Sequence, residues 1–227
     1  MDSTNSAETA TATIGAIKAG LSVVTINEQD SLDDVASALK SSAAKGLLFS
    51  PTTLDSEGNK RANSLHTLIP ELSGLYPGDE FSCDAFPELK HLIHTGHKTI
   101  RGMSKFKENM FYAKRRHTNR WIAGTTPDAT ALEAYKGGNL HKSFTNEQLV
   151  DQSGALWSSN FKRDDNLNPV FLTLPLSYPL GFATLLGAAA NKSKVFVPST
   201  YSLNSIAEAF KTQGADTLVC EQAMYES

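Results

Sequence analysis

Cysteine is scarce in this sequence, with only Cys83 and Cys220 among 227 residues. Two cysteines cannot build a disulfide framework in a chain of this length, and their separation matches no zinc-ligand spacing. Cys220 ends an apolar run, so we interpret it as a small buried side chain. We therefore expect an intracellular, reducing compartment, and the mitochondrion is one that fits.

Positive charge is not in excess, because 21 lysines and arginines face 24 aspartates and glutamates and the formal net charge is -3. A nucleic-acid partner would favour a clustered basic excess, so none is expected. The local basic run 114–117 with Arg120 is interpreted as a solvated loop or, alternatively, as a docking patch for an acidic partner or an anionic lipid. No apolar run reaches the length of a membrane span, and residues 1–4 do not open a secretory signal, so no transmembrane segment is expected.

The sequence also lacks a readable catalytic constellation. Ser177 lies in a segment without the glycines of a nucleophile elbow, and no Ser/His/Asp grouping stands out. His91, His94 and His97 recur at three-residue spacing, but on a strand the first two point to opposite faces. Packing or surface roles are therefore preferred over a metal site, and no catalytic or metal-binding residue is assigned.

What the sequence does contain is a regular alternation of apolar elements, in a chain with 40% hydrophobic residues. Helical spacing over 7–19 is followed by a β-branched run at 21–26. Ser31 and Asp34 form a capping-box pattern before a helix that ends at Lys45, and a second apolar strand follows at 46–50. Helix and strand in alternation predict an α/β fold with a mostly parallel sheet flanked by helices.

The alternation returns after residue 144, which sets the predicted domain organisation. We expect a single domain over 1–227, with a first α/β portion at 1–126, a long loop at 127–143 and a second α/β portion at 144–227. Strands are predicted at 89–96, 120–123, 170–174, 194–197 and 216–220, and helices at 145–157, 180–190 and 203–213.

A phosphate-binding turn is the one local motif that could carry chemistry. Gly124, Thr125 and Thr126 follow a short predicted strand, and backbone N–H groups and hydroxyls in such a turn can converge on an anion. Pro127 removes one donor and Asp128 adds a negative charge, so an ordinary turn is the alternative. Lys136 with two following glycines stands ten residues later, in a loop that folds back or remains a plain solvent loop.

Longer segments resemble a known family. Residues 174–182, Leu-Pro-Leu-Ser-Tyr-Pro-Leu-Gly-Phe, resemble the stretch of the AMP-dependent synthetase/ligase (acyl-CoA synthetase) family in which Pro-Leu-aromatic-His precedes a glycine. Residues 14–27 are similar to the family's run from gly-ala-x-lys-ala-gly to val-pro-leu-asn, and residues 41–49 to its asp-ser-gly-ala-lys-x-leu run. Residues 187–198 and 206–225 resemble its small-residue helix and the strands and helices that follow. The order and spacing of these segments carry the resemblance over nearly the whole chain.

The resemblance implies part of an acyl-CoA synthetase N-terminal domain, with Tyr178 and Gly181 lining an acyl pocket. The family's phosphate loop ends in Pro-Lys-Gly. Here Gly124–Thr126 is followed by Pro-Asp-Ala and Lys136 is displaced, which implies a degenerate loop. Tyr178 stands where the family has histidine. The family's adenine-binding and ribose-binding motifs and its adenylation lysine are not in this sequence, so we expect a truncated domain without ligase activity of its own.

These features favour a pseudoenzyme that serves as an accessory or structural subunit, with other protein subunits as partners, in a larger assembly such as a mitochondrial complex. No cofactor is expected on this interpretation. The alternative is a fragment or split part of an ATP-dependent acyl-CoA ligase, which adenylates an acyl group and then forms a thioester, and which would use ATP or AMP and Mg²⁺. A third interpretation is a binding module that retains the pocket as a sensor.

Overall fold

The structure, a computed structural model, describes residues 5–27, 30–51, 54, 58, 60–76, 79–110, 118–120, 122, 124–161, 169–198, 203–215 and 217–220. The helices are α1 (Ala7–Lys18), α2 (Leu32–Ser42), α3 (Arg61–Leu68), α4 (Phe106–Asn109), α5 (Asn146–Asn160), α6 (Pro179–Ala190) and α7 (Leu203–Gln213), with a 3-10 helix at Pro70–Gly74. The strands are β1 (Val23–Thr25), β2 (Gly46–Phe49), β3 (His91–His94), β4 (Ser104–Lys105), β5 (Thr130–Lys136), β6 (Asn139–Thr145), β7 (Val170–Leu172), β8 (Val195–Phe196) and β9 (Thr217–Val219). Helices and strands alternate along most of these ranges, except that β4 follows β3 and β6 follows β5 directly.

These strands form three sheets of three strands, in the orders β1-β5-β6, β2-β3-β4 and β8-β7-β9. The pairs within the second and third sheets are parallel, and so is β1 with β5. Only β5 and β6, among the described strands, pair antiparallel. The predicted α/β fold with a mostly parallel arrangement flanked by helices is therefore confirmed. None of the helices in these ranges combines the length and apolar character that a membrane crossing requires.

Side-chain caps fix where two of the helices begin. The Ser31 hydroxyl accepts the Asp34 amide and the Asp34 carboxylate accepts the Ser31 amide, each at 3.2 Å, which completes the predicted capping box of α2. Thr145 and Gln148 make the same reciprocal pair at the start of α5. Each box satisfies amide donors that a helix start leaves unpaired, so both helices begin where the sequence predicts.

Two local predictions are wrong. Residues 127–143, expected to be a loop, contain β5 and most of β6, because the apolar side chains of β5 enter the core and give the segment a reason to be extended. Residues 118–120 and 122 are helical, so the strand predicted at 120–123 does not form there. A run of so few apolar residues does not distinguish helix from strand, since either can bury it.

The core has two main clusters of buried apolar side chains, and these clusters hold the three sheets together. The first lies between α2, α3 and the β2–β3 pair and includes Val35, Phe49 and Leu65. The second joins β1 and β5 to β7 and α6, and Leu132 and Phe182 at its centre are fully buried. The second cluster brings the loop after β7 next to the β1–β5 pair, although the structure records no hydrogen-bonded ladder between these strands.

Candidate functional site

The carboxyl ends of β1 and β5 lie side by side, because the two strands are parallel and Thr25 is paired with Ala134. In open α/β sheets ligands bind outside this edge of the strands. The loop after β7 reaches the same edge, since the Thr25 hydroxyl donates to the Ser177 carbonyl at 2.9 Å. The residues at or just beyond these strand ends, among them Asn27, Lys136 and Tyr178, are therefore the candidate site.

Tyr178 precedes α6 and leaves 38% of its surface exposed at this edge. Its hydroxyl accepts a hydrogen bond from the Asn27 amide group, with 3.4 Å between Nδ2 and the oxygen. Its backbone amide donates to the Pro175 carbonyl at 3.0 Å, which closes the turn that leads into the helix. Hydrogen bonds thus fix Tyr178 both at its backbone amide and at its hydroxyl group.

Gly181 lies in the first turn of α6, next to the turn at Pro175, and is buried. A Cβ atom at this position would stand 2.3 Å from the Pro175 carbonyl oxygen, so only glycine lets the helix approach the turn this closely. Tyr178 and Gly181 are therefore close together, as the sequence resemblance implies. Their role in an acyl pocket stays a prediction.

Lys136 ends β5 and pairs with Asn139, the first residue of β6. Gly137 and Gly138 between them have φ of 55° and 72°, both in the left-handed region. A two-residue connection with both residues at positive φ is the type I′ turn of a tight hairpin. The lysine and glycines are therefore used in a hairpin turn whose length leaves no loop to wrap around a phosphate.

The tip of this hairpin packs against α2. A Cβ atom on Gly138 would meet the Ser37 Cβ at 2.7 Å and the Asp34 carbonyl oxygen at 3.0 Å, whereas one on Gly137 would meet nothing closer than the Asp34 carboxylate at 4.0 Å. The two glycines thus differ in surroundings while sharing a backbone conformation. This difference allows the turn to be tested.

Replacing Gly138 with alanine is expected to lower the free energy of unfolding by about 2 kcal/mol, from left-handed strain and the contact with Ser37 together. Gly137→Ala introduces the strain alone and is expected to cost about 1 kcal/mol. Urea unfolding of both variants measures the difference. Equal losses would contradict the packing of the tip against α2.

An internal carboxylate faces the same turn. The Asp30 carboxylate accepts the Asn27 backbone amide at 3.2 Å, and the backbone amide of Gly137 faces it as well. Burial raises the pKa of Asp30 and the charge of Asp34 raises it further, while the two amides and the charge of Arg61 act in the opposite direction. The turn amide that an anionic ligand would need therefore already faces a carboxyl group of the chain itself.

Gly124, Thr125 and Thr126 lie before β5, at the end of the strand opposite to Lys136. The Thr126 carbonyl accepts the Asn146 side-chain amide at 2.9 Å, so this segment is bound to the start of α5. The Thr126 side chain is hydrogen-bonded to the Asp128 carboxylate and lowers its pKa. The hydroxyl predicted to contact phosphate is thus engaged by a neighbouring carboxylate.

The predicted phosphate-loop residues are not brought together. Six residue steps of β5 separate Thr130 from Lys136, which is about 20 Å at about 3.3 Å per residue. Gly124–Thr126 and Lys136 consequently cannot form one cradle in this structure. Phosphate binding by either segment alone stays a prediction.

Sequence reasoning missed Asn27 and Asp30 as site residues. The available signal was their position, since polar residues directly after a strand of a parallel sheet belong to its carboxyl edge. Their partners, Tyr178 and Gly137, lie more than a hundred residues along the chain. No local pattern indicates such pairings.

The histidines are placed as the strand prediction requires. His91 is exposed and His94 is buried on opposite faces of β3. In the described part of the chain no three His, Cys, Asp or Glu side chains converge as a metal site would need. The basic run 114–117 lies outside the described residues.

Comparison with known proteins agrees on the fold. No protein-family model and no curated protein matches the sequence. Among solved structures, o-succinylbenzoate coenzyme A synthetase (MenE) from Bacillus subtilis, in complex with ATP and magnesium ion, covers 99% of this chain with a TM-score of 0.64 and 15% identity. The luciferase-like enzyme of the nonluminescent Zophobas morio mealworm covers 96% of this chain with a TM-score of 0.70 and 13% identity. The N-terminal domain of FACL13 from Mycobacterium tuberculosis covers 96% of this chain with a TM-score of 0.63 and 14% identity.

The chain spans about half the length of these solved chains, namely 50%, 46% and 47% of them. At such low identity the likeness establishes the fold alone. The chain has the fold of the acyl-CoA synthetases and luciferase-like enzymes over nearly all of its length, which confirms the resemblance read from the sequence.

Proposed function

We propose that this chain is an acyl-CoA synthetase-like pseudoenzyme that serves as an accessory subunit of a larger protein assembly, with the mitochondrion as the compartment to test first. The shared fold supports the synthetase-like part of the proposal. The arrangement of the candidate site supports the non-catalytic part.

The observation that carries the proposal is the closed hairpin turn at Gly137. Adenylation requires ATP phosphates to be held by backbone amides and positive charge, in line with the attacking carboxylate. Here the turn is two residues long, and the Gly137 amide faces the Asp30 carboxylate. A triphosphate at this turn would have to displace one carboxylate and lie beside a second, that of Asp34, which repels it.

The other predicted phosphate-binding segment supports the same conclusion. The Thr126 hydroxyl is engaged by Asp128, and the Pro127 carbonyl accepts the Glu147 amide at 2.9 Å. The segment therefore holds the start of α5 and the turn before β5. The carboxylate of Asp128 is fully exposed at this turn, where it opposes an incoming phosphate.

Isothermal calorimetry of the folded chain with ATP and Mg²⁺ tests the non-catalytic part. We expect no saturable heat at about millimolar nucleotide, which corresponds to binding weaker than about 4 kcal/mol. Lys136→Ala should behave identically. Micromolar binding that this substitution abolishes would instead support the alternative, a split part of an ATP-dependent acyl-CoA ligase.

The accessory role is tested on the protein in its native source. A tagged chain should sediment far above the mass of a single chain in the mitochondrial fraction, and should return to monomer mass once the assembly is dissociated. Sedimentation as a monomer in the untreated extract would contradict the accessory role, without bearing on nucleotide binding.

A further inference from the structure

His94 is a buried titratable group that the candidate site does not use. It ends β3, its side chain is 0% exposed, and neither ring nitrogen has a hydrogen-bond partner among the residues that the structure describes. A neutral imidazole carries one donor and one acceptor, so both are desolvated without replacement. A protonated ring would bury a charge and two unsatisfied donors, which is far less favourable.

The groups that face the ring come from both neighbouring strands. On one side Phe49 of β2 is its register partner, with the ring centroids 6.3 Å apart. On the other side Lys105 of β4 is its register partner. Glu108 of α4 also faces the ring, but it is paired with the Lys105 ammonium at 2.9 Å. Among the described residues, the immediate surroundings of His94 are thus apolar or cationic, and the carboxylate that faces it is paired with Lys105.

We propose that His94 is a proton-sensitive lock on the β2–β3–β4 sheet, which keeps the sheet closed at neutral pH and opens it under mildly acidic conditions. A proton taken from solvent settles on the imidazole only when the ring leaves its site beside Phe49 and reaches water. Protonation and opening of this sheet are therefore one coupled event.

The sign of the pH dependence follows from the buried state. Burial lowers the pKa of His94, and the charge of Lys105 lowers it further against the opposing charge of Glu108. The unfolded chain binds a proton at this histidine near pH 6.5. Below that pH the unfolded state binds a proton at His94, whereas the folded state does not. The folding equilibrium constant then falls by up to about tenfold per pH unit, until the pH reaches the lowered value.

Urea unfolding at about pH 7.5 and pH 5.5 tests the lock on wild type, His94→Leu and His91→Gln. His91 is the matched control, because it lies on the same strand with its side chain exposed. On going from the higher to the lower pH, the folding equilibrium constants of wild type and of His91→Gln should fall by a factor that is up to about tenfold larger than the factor for His94→Leu. Contributions from His66, whose pKa burial also lowers, are common to all three and cancel. Equal losses in wild type and His94→Leu would overturn the proposal.

Two measurements on the wild-type chain need no variant. After correction for intrinsic rates, amide exchange at pH 5.5 should rise in β2 and β3 by about tenfold more than in β5 and β6. In an NMR titration the His94 ring should keep its neutral chemical shifts as long as the sheet remains closed. A uniform rise in exchange, or a His94 ring that titrates near pH 6.5 in the intact fold, would show that no lock exists.

Discussion

Gly181→Ala is expected to lower the free energy of unfolding by about 4 kcal/mol, at the upper end of what a single added methyl group causes. The new Cβ atom would lie 2.3 Å from the Pro175 carbonyl oxygen and 3.3 Å from the Leu174 Cβ. Both obstacles belong to the turn that enters α6, and neither is the flexible end of a side chain. Relief therefore requires the helix and the turn to move apart, which opens the apolar cluster around Phe182.

Gly154→Ala is the matched control, because the same substitution in a helix should have the opposite sign there. A Cβ atom on Gly154 meets nothing within 4 Å in the described part of the chain, and alanine in a helix interior is favoured over glycine by about 0.5–1 kcal/mol. Thermal and urea unfolding of both variants give the comparison. A Gly181→Ala protein as stable as wild type would show that α6 does not approach the Pro175 turn as described.

Asn5→Ala is expected to cost about 3 kcal/mol, because it leaves two buried backbone groups unpaired. The side chain is 2% exposed. Its Nδ2 donates to the Leu174 carbonyl at 2.8 Å, and its Oδ1 accepts the Leu176 amide at 2.7 Å. The Asn5 side-chain amide therefore satisfies one backbone carbonyl and one backbone N–H group in the turn between β7 and α6, although Asn5 lies near the start of the sequence.

The control for this prediction is Asn160→Ala, at the end of α5. The Asn160 side chain donates to the Leu156 carbonyl at 3.0 Å but is exposed, so water replaces the lost bond and the expected change is within about 0.5 kcal/mol. Asn5→Asp should be at least as harmful as Asn5→Ala, because it buries a carboxylate that faces the Leu174 carbonyl. Unfolding free energies near wild type for either Asn5 variant would contradict the two bonds.

Both substitutions act on the turn that holds Tyr178, so they also connect stability to the candidate site. Gly181 sets how closely α6 approaches the turn, and Asn5 fixes the backbone that leads into it. The contact between Tyr178 and Asn27 depends on the position of this turn. Loss of that contact should therefore accompany the loss of stability.

The parts of the fold that sequence predicts well are those whose causes are local. The capping boxes at Ser31 and Thr145 need only residues three positions apart, and both helices begin there. The buried strand at 46–49 follows from a continuous apolar run between a glycine and a proline. The alternation of such elements was sufficient to predict the α/β fold.

The β5–β6 hairpin is a part of the fold that such local patterns do not predict. Two glycines between extended segments are a hairpin signal, but the strands around them lack clean alternation. Ala131 and Leu132 are both buried, and so are Ala134 and Tyr135, because the ladder shifts register at these points. β6 is exposed over its first five residues, so it carries no apolar pattern at all.

The candidate site was predicted only in part, for a related reason. Tyr178 and Gly181 came from a sequence resemblance, and the structure places them together. Asp30 could not be found in that way, because its importance comes from the distant Gly137 amide that it faces. A carboxylate that closes a phosphate-sized turn is recognisable only after the chain has folded.

The most direct test of the account is an NMR titration of the isotope-labelled chain with ATP and Mg²⁺, followed at the amides of Gly137 and Gly138. If Asp30 and the two-residue turn close this position to nucleotide, these amides should not shift up to about millimolar ATP. A saturable shift at Gly137 that disappears in Lys136→Ala would contradict the account. The turn would then be a working phosphate site, and the ligase-fragment or sensor interpretation would replace that of a pseudoenzyme.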